Sequence, residues 1–197
     1  MKLAVIIGTI RQNRKTPQQA KWVLNTAKRT EGIDAELIDL KDYPMPFFDE
    51  PMSPRYNPDR RIDPSAKKWL DKLEQFDAYV FVTPEYNHSV PGVLKNALDY
   101  VTWEIQRKPV SVISHGSSGG ARAATDLKEI ISESRAVPLP SSTALTMVGM
   151  VELIDKEGNL TEAAKARPRG GPQKALYDML AELKWYSDAL TAARPKD

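Results

Sequence analysis

The sequence predicts an α/β fold: a doubly wound, five-stranded parallel sheet in the order 2-1-3-4-5, with helices on both faces. Three observations carry this. Short apolar runs alternate with helical patterns along the chain, as in parallel sheets covered on both sides. The 197 residues are 41% hydrophobic and 27% charged, enough to bury a core without disulfides or a metal. Finally, three compositionally odd loops, 8–16, 83–89 and 114–120, follow the first, third and fourth strands. Those strands are neighbours in this order, and ligands bind such sheets beyond the strand carboxyl ends where the order reverses.

The elements follow in order. Leu3–Ile7 reads as a buried strand. Thr16 and Pro17 open a helix, with Thr16 as cap and Gln19 closing a capping box. Ala20, Val23, Leu24 and Ala27 form its apolar stripe, and Gly32 ends it. Ala35–Leu40 alternates, as a strand near a sheet edge does. Residues 41–64 hold six of the fifteen prolines (Pro44, Pro46, Pro51, Pro54, Pro58, Pro64), which excludes a central strand or regular helix. Asp63-Pro64 starts a helix carrying Ala66, Trp69, Leu70 and Leu73. Ala78–Val82 is a third strand, and Pro91 begins a helix through Leu94, Ala97, Leu98 and Val101. Val110–Ser114 is a fourth strand, followed by a helix with Ala123, Ala124, Leu127, Ile130 and Ile131. Thr143–Val151 is expected as the fifth strand, residues 155–171 as irregular, and 172–193 as a last helix.

Composition narrows the chemistry. There are no cysteines, which excludes disulfides, thiolate nucleophiles and cysteine-ligated metals. With only His88 and His115, a multi-histidine metal site is not expected. A net charge of +2 without a long basic run argues against a nucleic-acid partner. Residues 3–7 are too short for a signal-peptide core, and no stretch approaches the ~20 apolar residues of a membrane span. The expectation is one cytoplasmic domain over residues 1–197, with no membrane partner.

The three loops carry the functional reading. Gly8–Thr16 joins a strand to a helix amino terminus with two hydroxyls and three cations, which favours an anion the size of a monophosphate. It lacks the Gly-x-Gly-x-x-Gly fingerprint of a pyrophosphate cradle, and its Lys15-Thr16 has the wrong spacing for a triphosphate loop. A solvated basic turn is the plain alternative. Thr83–Ser89 is framed by Pro84 and Pro91, and offers the flat face of Tyr86 with Asn87 beside it, suited to a planar heteroaromatic ring. Alone, it is equally a helix-capping loop. Ser114–Gly120 has glycines that let backbone approach a ligand, but its serines miss the nucleophile-elbow spacing.

Together, Gly8-Thr9-x-Arg11, then Pro84-Glu85-Tyr86-Asn87 running through Pro91-Gly92-x-Leu94-Lys95-Asn96-Ala97-Leu98-Asp99, then Gly116-x-x-Gly119-Gly120 resemble the NADPH-dependent FMN reductase family of flavodoxin-like quinone, azo-dye and chromate reductases. The resemblance spans roughly residues 3–150. It implies a flavodoxin-like fold, non-covalent FMN, and NADPH or NADH as electron donor to a small-molecule acceptor. Thr9, Arg11, Arg14 and Thr16 would hold the FMN phosphate. Pro84, Glu85, Tyr86 and Asn87 would lie along the isoalloxazine ring, mostly through backbone, and Gly116, Ser117 and Ser118 would approach its other side. No protein side chain is expected to be catalytic. Thr9 stands where the family usually has serine, which keeps the hydroxyl. A homodimer or homotetramer is implied, with Tyr100, Trp103 and the loop 44–58 as interface candidates. Rival readings are a flavodoxin-type electron carrier, which the sequence pI near 8.7 disfavours because such carriers tend to be acidic; a flavin-free scaffold; and a serine hydrolase.

Overall fold

The structure, a computed structural model, describes residues 1–57, 59–146, 153–165 and 171–194. Five parallel strands, β1 (Lys2–Ile7), β2 (Asp34–Asp39), β3 (Ala78–Pro84), β4 (Pro109–Gly116) and β5 (Val137–Thr146), form one sheet in the order 2-1-3-4-5. The helices are α1 (Thr16–Ala27), α2 (Pro64–Glu74), α3 (Gly92–Asp99), α4 (Ala121–Glu133), the single turn α5 (Glu162–Lys165) and α6 (Gly171–Ala193).

The alternation of side chains along each strand divides the core in two. Ala4 and Ile6 of β1 with Tyr79 and Phe81 of β3 face α2, α3 and α4. Leu3, Val5 and Ile7 with Ala78, Val80 and Val82 face α1 and α6. Every residue of β3 is buried, which is why that strand reads as a continuous apolar run. Trp69 of α2 is fully buried, and its indole N–H donates to the Ala97 carbonyl of α3 at 2.9 Å, so its one polar atom is satisfied.

Two expectations need correction. The fifth strand starts at Val137, six residues earlier than expected. Pro138 and Pro140 obscure it because they cannot donate to a ladder, yet β5 is an edge strand with one side unpaired, where proline is tolerated. Residues 147–151 of the expected strand lie outside the described residues. Within the supposedly irregular 155–171, the described part contains α5, and an antiparallel bridge joins Leu160 to Ile154. Among its described residues, the proline-rich 41–64 holds no strand or long helix before α2, only short 3₁₀ turns at Leu40–Asp42 and Pro54–Tyr56. Asp63 caps α2 by accepting from Ser65 N–H at 2.8 Å. Tyr100 packs inside this chain, edge-on to Phe48, whereas Trp103 is half exposed.

Candidate active site

The three odd loops converge at the carboxyl end of the sheet, beside the β1–β3 switch point. Gly8 leaves β1 with its N–H on the Val82 carbonyl at 2.9 Å. A Cβ there would meet Leu94 at 2.9 Å and that carbonyl at 3.2 Å, so any larger residue would have to push the Leu94 side chain aside and crowd the carbonyl. Thr9 is buried, and its hydroxyl lies 3.0 Å from the Tyr86 hydroxyl while accepting from Arg11 N–H at 3.3 Å. The Arg11 guanidinium lies 5.3 Å from the Tyr86 ring centre, a cation–π contact that ties the first loop to the second.

Arg14 turns inward. Its guanidinium is forked onto the Asp39 carboxylate, with one bond at 2.8 Å, and also donates to the Thr9 carbonyl. Sequence reading missed Asp39. The available signal was the strand order, which sets the end of β2 beside the end of β1, with Ile7 opposite Asp39. Among the described residues, Arg11 and Lys15 have no carboxylate partner.

Thr16 does not cap α1. The N-cap position falls on Lys15, whose side chain makes no capping bond. Thr16 Oγ1 is instead 2.9 Å from His115 Nε2 at the end of β4, and Gln19, the expected partner in a capping box, is buried with no bond to its side-chain amide. In the first turn of α1, Pro17 has no N–H and Gln18 N–H donates to the Lys15 carbonyl at 3.1 Å, which leaves the Thr16 N–H without a side-chain cap among the described residues. His115 is buried, and burial first, then the positive charge of Arg11, push its pKa down to about 4. This favours the neutral ring at ordinary pH, with one nitrogen a donor and the other an acceptor.

The second loop closes as a two-residue turn. Tyr86 and Ser89 exchange backbone bonds at 3.0 Å, and the central Asn87 and His88 have φ of 49° and 68°. Both being positive, the turn is type I′, filled by asparagine and histidine, two of the non-glycine residues that best tolerate positive φ. The Glu85 carboxylate does not face solvent: it accepts from the Arg122 and Ala123 amides at 3.1 and 3.4 Å and caps α4. Glu85 Oε1 also lies 3.5 Å from the Arg122 guanidinium and 3.7 Å from His88. A carboxylate at a helix amino terminus is favoured by the helix dipole, and here it locks the second loop to the third.

In the third loop, Gly120 (φ 75°) precedes α4, and a Cβ there would stand 2.8 Å from the His115 backbone. Ser114 Oγ donates to the Gly119 carbonyl at 2.9 Å, while Ser117 and Ser118 are exposed. Neither of these two is bonded to a histidine, which removes the geometry a serine hydrolase needs.

Between the loops lies a cleft of about 180 Å³, lined by Arg11, Arg14, Lys15 and Thr16 on one side, Pro84, Glu85 and Tyr86 on the second, and His115, Gly116 and Ser117 on the third. That is smaller than usual cofactor pockets, and suits the phosphate end of a nucleotide. A larger cleft of about 400 Å³ between α3 and α4 touches none of these loops. The donors suit FMN: two unpaired cations and an uncapped helix start for a dianion, next to the face of Tyr86 for a flat ring.

Comparison with known proteins agrees. Residues 1–148 match the model of the NADPH-dependent FMN reductase family. A NAD(P)H-dependent FMN reductase of Schizosaccharomyces pombe is 38% identical over 74% of this chain and 73% of its own length. An NADPH azoreductase of a Bacillus species is 32% identical over 94% and 92%. The flavoenzyme NAD(P)H:(acceptor) oxidoreductase FerB of Paracoccus denitrificans superposes with a TM-score of 0.67 over 95% and 97% of the two chains, at 24% identity, a likeness of fold. The chain thus belongs to the NADPH-dependent FMN reductase family, flavodoxin-like oxidoreductases that use FMN and NAD(P)H.

Proposed function

We propose that this chain is a cytoplasmic, homo-oligomeric reductase whose single domain, residues 1–197, passes electrons from NAD(P)H through FMN to a small acceptor such as a quinone, an azo compound, chromate or free flavin. FMN held by these loops would supply the redox chemistry, a two-electron relay from the nicotinamide to the acceptor in a ping-pong cycle. The observation that carries the reading is the cation-rich cleft at the uncapped start of α1, set against Tyr86 at the switch point.

The roles divide among the chain's residues. Arg11, Lys15 and the Thr16 amide hold the phosphate; Thr9, Arg14 and the Thr16 hydroxyl fix the loop that carries them. The backbone of Pro84, Glu85, Tyr86 and Asn87 lines the ring, and the closed turn at Asn87-His88 keeps that backbone rigid, so that its amides are placed before charge develops. Gly116, Ser117 and Ser118 border the opposite side, and the exposed hydroxyls leave it open to a second reactant. Arg122 is 60% exposed in its side chain and is placed to meet the 2′-phosphate of NADPH.

The test is steady-state kinetics with NADPH and a soluble quinone. Double-reciprocal plots are expected to be parallel, because the two substrates never share the site. Converging lines would contradict the ping-pong cycle, and a vanishing rate with every acceptor class would favour a carrier.

A further inference from the structure

Among the described residues, His115 makes one side-chain bond, to Thr16 Oγ1 at 2.9 Å, across 99 residues of sequence. Both residues are buried, at 5% and 0% exposure, so water does not compete for this bond. It joins the end of β4 to the first residue of α1, at a helix start that no side chain caps. Against the His115 backbone rests Gly120, where any Cβ would collide. His115 is thus wedged between the third loop and the helix that borders the cleft.

We propose that His115 is a positioning residue for phosphate recognition: through Thr16 it holds the first turn of α1 against β4, so that the uncapped Thr16 amide stays on the cleft. The inference rests on the reading that the FMN phosphate lies at this helix start. The ring adds no charge of its own, since burial and Arg11 keep it neutral. Its contribution is geometric, which separates it from Arg11 and Lys15, whose contributions are Coulombic and screened by salt.

The test uses apo-protein titrated with FMN and, separately, with riboflavin, followed by quenching of flavin fluorescence. In His115→Phe the preference for FMN over riboflavin is expected to fall about tenfold, the worth of one net hydrogen bond, by the same factor at low and high salt. His115→Gln, which can still reach Thr16, should restore most of it. Thr16→Val should match His115→Phe, and the double variant should be no worse than either. Thr16→Val carries the test alone should His115→Phe not fold. An unchanged preference in the Phe and Val variants, or losses that add, would overturn the proposal. Wild-type protein that binds riboflavin as tightly as FMN would instead overturn the placement of the phosphate, and the proposal with it.

Discussion

An Arg11→Ala protein is expected to bind FMN about thirtyfold more weakly, with riboflavin affinity within about twofold of wild type. The range follows from a charged hydrogen bond worth roughly 1.5–3 kcal/mol. Three features single out Arg11 among the loop's cations. It lines the cleft, its guanidinium is oriented by the Tyr86 ring, and no carboxylate of the described residues neutralises it. Arg14 also lines the cleft, but its fork is already closed on Asp39. Paired titrations of FMN and riboflavin measure the effect, and raising the salt should shrink the difference between wild type and variant. Equal loss of both ligands would mean that Arg11 acts by bracing Tyr86 rather than by meeting the phosphate.

Mild acid is expected to weaken the apo-protein through His115 by about 3 kcal/mol, because each tenfold change in proton affinity is worth about 1.4 kcal/mol. The ring's pKa falls from its ordinary 6.5 to about 4 on folding, through burial first and the Arg11 charge second. Between those values the unfolded chain carries a proton that the folded chain does not, so protons favour unfolding there. The contribution is intact above pH 6.5 and is lost as the pH falls towards 4. Urea unfolding of wild type and His115→Gln, at about pH 7 and about pH 4.5, reads it directly. The wild type should lose more stability between the two conditions than the variant; equal losses would mean that His115 accepts its proton without resistance.

The elements were legible because apolar runs and helix stripes are local patterns. The odd loops after strands one, three and four agree with the common order 2-1-3-4-5, in which those strands are neighbours, and the sheet has that order. What escaped depends on contacts between distant residues. Thr16 looks like a cap in its own neighbourhood, and only the arrival of His115 on β4 gives its hydroxyl another partner. Glu85 looks solvent-facing until α4 brings its amides to the carboxylate. Arg14 looks free for an anion until β2 delivers Asp39. The start of β5 was hidden by Pro138 and Pro140, residues that argue against a central strand but are harmless at an edge. For Thr16, Glu85 and Arg14, local chemistry identified the residue as polar and well placed, and tertiary packing chose its partner.

The most direct measurement is the visible spectrum of the purified protein, followed by NADPH under exclusion of oxygen. Flavin absorption bands, present as isolated or after adding FMN, should bleach promptly and return when a quinone is added. No flavin bands in the protein fraction, even after adding FMN and removing the unbound excess by gel filtration, would contradict the account of the cleft.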